Sequence, residues 1–496
     1  MSTSSSSSYR EPSDILKRLF LPPKDPSLTL SNDYEWLVIT QEPPLPSIDL
    51  LARHEEKLAG LRFDPRLSCP SRMDYATSLI LQHVATGTKQ VVELPSNSEG
   101  IRWIRFHPTR PYLVFTSKVT NECRFELYVC ELSMVDDDDD NDTSISTWSI
   151  RQLQLGEGKR MNFIMGCAYQ FVGAQCDNLL VRVVPNGWPT NAPEEPITTG
   201  PAIQYVEKCA KAAPARTYQD MLKNDYDALK LRHYLTVEIL CIDCSSSHTA
   251  AATSKSSTMI VSQSQGGRLI KSLESSPCGR YVLAQITTQF SYSVPIGRFG
   301  KDVEIWDLQH DSNESCSSSS SSSSGRGIIT VASLPVDDEI PLGYDACTRH
   351  PRGFQFHPCR GNDDDATIIY AVATDGGASL TEGRTDANMA EKEEAGELVD
   401  GEHDAVYCRV IKQLDDDNNN WTLSEPTKLV GLKGDSRVLI LLNRDCALLM
   451  NTVGMIEWNE SGSSKKGRWV DTGNFFGKGA GRIGIHHQER HCCVGV

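Results

Sequence analysis

A turn followed by a short apolar run recurs along this chain. In residues 106–117, Phe106-His107-Pro108 leads into Tyr112-Leu113-Val114-Phe115. Residues 29–39 repeat the arrangement, with Ser31-Asn32-Asp33 ahead of Trp36-Leu37-Val38-Ile39. Ser276-Pro277-Cys278-Gly279 precedes Tyr281-Val282-Leu283-Ala284. Phe356-His357-Pro358 leads, across an acidic insertion, into residues 367–372. Weaker copies lie at residues 175–181 and 442–449. Short apolar runs bounded by Pro, Gly, Asn and Asp read as strands. Strand-and-turn units in series point to a radial β architecture. The fold class expected is therefore all-β, a β-propeller of about seven blades, several of them padded by insertions.

Finer patterning agrees with this. Leu127, Val129 and Glu131 fall on one face of a strand, and Tyr128, Cys130 and Leu132 on the other. Thr86-Gly87-Thr88 separates two β runs and reads as a hairpin turn. Residues 50–60 read as a short helix stopped by Gly60. The one long helical pattern lies near residues 216–234, where Tyr218, Met221, Leu222, Tyr226 and Leu229 recur at helical spacing. An amphipathic helix packed on the β body is the reading favoured there.

The low-complexity stretches set the domain plan. Residues 1–20 form a Ser-rich lead-in without structure, 21–458 the propeller, and 459–496 an irregular tail. Disordered insertions are expected at about 134–145, 309–327 and 381–404. Adjacent carboxylates at residues 136–140 repel one another and stay solvated. The Ser tract at 317–324 has no apolar surface to bury.

Composition narrows the partners. The net charge of −16 argues against a nucleic-acid surface, which needs clustered Lys and Arg. No apolar run reaches the ~20 residues of a membrane helix. Sixteen scattered cysteines without a secretory leader point to reduced thiols in a cytosol-like compartment and not to secretion, and the Ser-rich start with Arg10, Lys17 and Arg18 loosely resembles a transit peptide, so cytoplasm or plastid stroma is the expectation.

Several candidate chemistries fail on inspection. Gly434-Asp435-Ser436-Arg437-Val438 comes nearest to Gly-x-Ser-x-Gly but lacks the second Gly, so no nucleophile elbow and no catalytic residue is assigned. Cys241, Cys244 and His248 have metal-like spacing but no second pair, and the two cysteines extend an apolar strand. No metal or cofactor is expected. Gly479-Ala480-Gly481-Arg482-Ile483-Gly484 matches a dinucleotide pattern, yet too few residues follow to complete the βαβ unit. The last four residues, from Cys493, resemble a prenylation box only loosely, because Gly495 is not aliphatic. His107 and His357 occupy equivalent turns, which argues for a structural role. Arg298, between Ile296-Gly297 and Phe299-Gly300, stands in a loop before a strand and is the candidate substrate-binding residue, able to meet an anion.

Other stretches carry a family resemblance. Pro44-Leu45-Pro46, Asp49-Leu50-Leu51-Ala52-Arg53, Glu55-Glu56-Lys57-Leu58-Ala59-Gly60, Arg62, Asp64 and Ser71-Arg72-Met73 resemble an N-terminal motif of the plant chloroplast-type glutamyl endopeptidases, a group of the prolyl oligopeptidase family of serine peptidases. Residues 216–227 are similar to that group's helical insertion. Ser291-Tyr292-Ser293-Val294-Pro295, Gly297-Arg298-Phe299 and Val303-Glu304-Ile305-Trp306 form the most specific match. Glu339-Ile340-Pro341 and Thr374-Asp375-Gly376-Gly377 resemble later propeller positions. The resemblance implies a β-propeller that covers a Ser-Asp-His α/β-hydrolase domain and filters peptide substrates by size. No hydrolase domain is read within this chain, so the expectation is a propeller portion, inactive alone, of a serine endopeptidase acting on peptides. A stand-alone propeller that binds proteins is the alternative.

Overall fold

The computed structural model describes residues 13–20, 24–46, 48–120, 122–135, 145–172, 177–185, 192–196, 218–244, 258–261, 267–276, 278–308, 327–336, 351–356, 366–373 and 402–415, and beyond them the strands of residues 420–495 with the short link 424–426. A short helix, α1 (Asp14–Phe20), precedes the sheets. In the first sheet β1 (Ser27–Leu30) pairs with β2 (Trp36–Gln41). Next come α2 (Ile48–Ala52) and a small sheet of β3 (Glu56–Leu58), β4 (Leu61–Asp64) and β5 (Cys69–Pro70). β6 (Ser78–His83) and β7 (Lys89–Val92) then complete the order β1-β2-β6-β7.

The second sheet is a meander of β8 (Ser98–Phe106), β9 (Tyr112–Val119), β10 (Phe125–Val135) and β11 (Ile145–Leu153). The third joins β12 (Tyr169–Val172) and β13 (Asn178–Val183), then α3 (Asp225–Leu235), then β14 (Glu238–Asp243) and β15 (Thr258–Val261). The fourth runs β16 (Ile270–Ser275), β17 (Tyr281–Gln289), β18 (Gly300–Asp307) and β19 (Ile328–Leu334). The fifth contains β20 (Arg352–Phe356), β21 (Ala366–Ala373), β22 (Glu402–Asp415), β23 (Asn420–Leu423) and β24 (Thr427–Lys433). The sixth is β25 (Arg437–Leu441), β26 (Cys446–Met450), β27 (Gly454–Glu457) and β28 (Arg468–Asp471). A hairpin of β29 (Gly484–Gln488) and β30 (His491–Gly495) follows.

This is the all-β, propeller-type architecture that the recurring turns foretold. Six meander sheets stand among the described residues, beside the seven that the length suggested. The chain forms two compact units, residues 1–171 with 175–269, and residues 172–174 with 270–496. Within the first unit the second sheet is buried on both faces. Leu113, Phe115, Tyr128, Cys130 and Trp148 pack toward Val38, Leu79 and Leu81 of the first sheet. Tyr112, Val114, Leu127 and Val129 pack toward Phe171, Leu179, Val181 and Leu240 of the third. The alternation predicted for β10 is therefore the one seen, and it explains why both of its faces are apolar. In the second unit, Tyr281, Leu283, Val303 and Ile305 pack on Phe354, Phe356 and Ile411 in the same way.

Two helical expectations are corrected. The helix expected over residues 50–60 is confined to α2, and residues 56–64 fold back as the β3–β4 hairpin. Ala59 and Gly60 take φ of 52° and 80° at its turn, which no helix admits. Leu58 and Phe63 are buried by the pairing, and this outweighs the local preference. The helix expected near residues 216–234 begins later, at Asp225. Asn224 caps it, its side chain accepting from Asp227 N at 2.9 Å, while Asp227 Oδ2 accepts from Lys223 N at 2.8 Å. Tyr218 and Leu229 are exposed, and Leu231, His233 and Leu235 are the buried positions.

Other expectations fall on residues outside those described: the acidic run 136–140, the Ser tract 317–324, His248, His357, residues 339–341 and 374–377, the Gly434-Asp435-Ser436 segment and most of the acidic stretch before β22. Among the described residues no helix is long and apolar enough to cross a membrane.

Candidate functional site

The turns that opened the sequence reading are built alike. In each, the first residue's amide donates to the carbonyl five residues on: Ser31 to Trp36, His107 to Tyr112 and Ser276 to Tyr281, all at 2.8 Å. Its side chain then accepts an amide of the turn. Trp36 N donates to Ser31 Oγ at 2.9 Å and Tyr281 N to Ser276 Oγ at 3.0 Å. Thr109 N and Arg110 N donate to His107 Nδ1 at 3.1 and 2.9 Å. His107 is buried between Tyr112 and Phe171. It is a turn residue, as its recurrence implied.

Antiparallel order sends the connection between the second and third strands out of the opposite strand ends. In the fourth sheet that connection is the loop carrying Arg298. Its 3-10 turn Ile296–Arg298 is closed by Arg298 N donating to Pro295 O at 2.9 Å, and Lys271 Nζ donates to Gly297 O at 3.2 Å. Val294, Ile296 and Phe299 are buried, and the Phe290 and Phe299 rings lie 5.6 Å apart. A Cβ at Gly300 would come within 2.8 Å of Gln289 Cβ, so only glycine fits there. Arg298 itself is half-buried in this pinned loop, not projected on a free one.

The same connection carries larger insertions elsewhere. In the first sheet it holds α2 and the β3–β5 sheet, and in the third it holds α3. The two meet across a separation of 158 residues: Arg62 Nε donates to Asp220 Oδ2 at 2.6 Å. Gly60 N donates to Asp220 O at 3.0 Å, Lys230 Nζ pairs with Glu56 Oε2 at 2.7 Å, and Phe63 lies edge-on to Tyr234. Sequence reading assigned these stretches to one family resemblance without placing them together. They form one layer.

A narrow recess, with room for about one water molecule, opens in that layer. Arg53, His54, Asp64, Cys69, Arg72 and Tyr75 are among its walls. Asp64 Oδ1 accepts from Arg66 N and Leu67 N, which ties down one wall. Glu55 accepts from Ser71 Oγ at 2.8 Å and Arg72 Nη2 at 3.3 Å, which ties down another. The Ser71 hydrogen bond holds the Glu55 carboxyl below its ordinary range, against burial. Burial pushes the Cys69 thiol up to about 12, with Asp64 adding to the effect, so the thiol is neutral. Burial likewise raises the Tyr75 phenol. The Lys118 ammonium stands 6.0 Å from the Tyr75 ring centre and pairs with Glu99. Its pKa is lowered, first by burial and then by the charge of Arg53.

Cys241 sits in β14 and Cys244 just after it, where burial raises both thiols, and Cys244 contacts the Ile242 carbonyl. Among the described residues no three His, Cys, Asp or Glu side chains converge on a metal position.

The class defined by these sheets is an all-β chain of antiparallel sheets, most of them four-stranded meanders, of the propeller type. No family model matches it. It is 24% identical over 386 residues to the probable chloroplastic glutamyl endopeptidase of Oryza sativa subsp. japonica, covering 75% of this chain and 36% of that protein. The corresponding Arabidopsis thaliana protein is 23% identical over 387 residues, covering 75% and 35%. The chain is thus a distant homologue of plant glutamyl endopeptidases, and it spans about a third of the length of the curated relatives it matches. Among solved structures, Pyrococcus horikoshii acylaminoacyl peptidase superposes with a TM-score of 0.32 at 10% identity, covering 95% of this chain and 56% of that one. A putative TolB from Agrobacterium tumefaciens gives 0.28 at 8% identity, covering 82% of each.

Proposed function

We propose that this chain is the propeller portion of a glutamyl-endopeptidase-like serine peptidase and controls peptide access to a hydrolase domain. The observation that carries this reading is the homology to the two plant proteins over three quarters of the chain. The layer joining residues 48–75 to 218–235 supports it, because the stretches that resemble the group pack on each other. In this reading the whole enzyme cleaves peptides through an acyl-enzyme formed on a serine outside these 496 residues, and the chain alone is inactive. Arg298 is the residue assigned to meet an acidic group of the peptide, since a guanidinium suits a carboxylate. Cytosol or plastid stroma is the proposed compartment.

The test is the transcript beyond the codon for Val496. An in-frame Gly-x-Ser-x-Gly coding segment supports the reading. A verified stop at that codon overturns it in favour of a stand-alone protein-binding propeller. Labelling of the purified 496-residue chain by a serine-reactive phosphonate would contradict the absence of a nucleophile in it.

A further inference from the structure

The last two strands are dense in metal-binding residue types. Five of the eight residues 486–493 are His or Cys, so one short segment offers several donors suited to a soft or borderline cation. β29 and β30 pair antiparallel, with His486 opposite Cys493, His487 opposite Cys492 and Gln488 opposite His491. Residues two apart on a strand share a face, and so do residues directly opposite each other. The register therefore sorts the five. His486, His491 and Cys493 fall on one face, together with Gln488. His487 and Cys492 fall on the other, together with Ile485 and Val494.

Directly opposed positions lie about 4.5–5.5 Å apart at Cβ and diagonal ones about 7–8 Å, a span that imidazole and thiolate arms can close around one zinc ion. Gly484 stands opposite Gly495 at the open end of the hairpin and adds no bulk to the face of the trio. Cys241 shares the same chemistry but is opposed by Leu180 and Thr258, so its neighbouring strands bring no imidazole to it. The two strands also form a two-stranded sheet of their own. Such a hairpin is marginal in water without further support. A cation ligated from both strands supplies that support, because its binding free energy becomes folding free energy.

We propose that the β29–β30 hairpin binds one zinc-class divalent cation through His486, His491 and Cys493, with water in the fourth position. Two imidazoles and one thiolate suit zinc, and three protein ligands are the set of a site that keeps one position open. The Cys493 thiol gives its proton to solvent as the sulfur–metal bond forms. Spacing in the sequence led to the expectation of no metal, because spacing does not say which of these five donors share a face. The peptidase reading does not enter this inference.

The experiment is a zinc titration of the reduced full chain in competition with a chromophoric chelator, together with the absorption spectrum of the cobalt(II)-substituted chain. The expected result is one zinc per chain and a thiolate-to-cobalt charge-transfer band. Cys493→Ser should abolish that band. His486→Ala, His491→Ala and Cys493→Ser should each weaken zinc binding about tenfold or more, since even the outer partners of metal ligands are worth about ten- to a hundredfold. His487→Ala, Cys492→Ser and the pair Cys241→Ser with Cys244→Ser should bind as the parent does. Magnesium and calcium, which take oxygen ligands, should not compete. On the unmutated chain, zinc should protect Cys493 but not Cys492 from alkylation, read by mass spectrometry. This measurement decides by itself if a variant fails to fold. No saturable zinc binding, binding that survives Cys493→Ser, equal loss in Cys492→Ser, or equal protection of the two thiols would overturn the proposal.

Discussion

Single side chains set the corners of this chain. Ser31, His107 and Ser276 differ chemically, yet each supplies an acceptor to the amides of the turn it opens. Replacing His107 with Ala leaves the Thr109 and Arg110 amides without that partner, at a cost of about 1–3 kcal/mol. His107→Asn keeps an acceptor and should recover part of the loss; urea unfolding midpoints of the two variants measure this. The Trp306-Asp307 pair that ends β18 acquires its reason from the structure. Arg280 Nη2 donates to Asp307 Oδ2 at 2.8 Å, and Nε reaches both carboxylate oxygens, with the two side chains 4% and 0% exposed. Asp307→Ala strands a buried guanidinium and should cost about 3–5 kcal/mol, whereas Arg280→Met with Asp307→Leu together should cost much less. A double-mutant cycle by chemical denaturation checks both values.

Elements were legible where their pattern was local. The period-two alternation of β10 and the Thr86-Gly87-Thr88 turn appear as read, since both depend on adjacent residues. The helix over residues 50–60 was misread because the pairing of Glu56 with Phe63 and the burial of Leu58 lie outside any local window. For α3 the informative signal was the Asn224-x-x-Asp227 cap, not the apolar spacing. Contacts between elements also create a titration that the sequence hides. Glu274 of β16 accepts from the Phe356 amide of β20 at 2.8 Å, and burial pushes its carboxyl up to about 7 in spite of that bond. The folded chain thus holds this proton more tightly than the unfolded chain, where the group titrates near ~4.3. Its contribution to stability is fully present below the unfolded value and is lost as pH rises through about 7. Glu274→Gln should flatten the fall in unfolding midpoint between about pH 5 and pH 8, measured by thermal melts across that range. An unchanged slope would place the titration elsewhere.

For the whole molecule, charge gives the plainest expectation. At a net charge of −16, the chain should not retain duplex DNA at about 0.15 M salt, which a gel-shift titration checks. The homology with two longer plant proteins concerns the chain as a whole, and it agrees with the resemblance read from short motifs. Those motifs lay far apart in the sequence, and residues 48–73 and 218–227 became one layer only when the first and third sheets were in place.

The sequence by itself determined the sheet-forming units, because a turn residue and the apolar run behind it interact within a few positions. It also determined the family to which the chain is related, through residues scattered over three quarters of its length. Only the tertiary structure decided that residues 56–64 form a hairpin, that α3 begins at Asp225, and that the insertions of the first and third sheets meet through Arg62 and Asp220. Each of these rests on pairing, burial or countercharge between residues distant in sequence, and such terms have no value until the chain has folded.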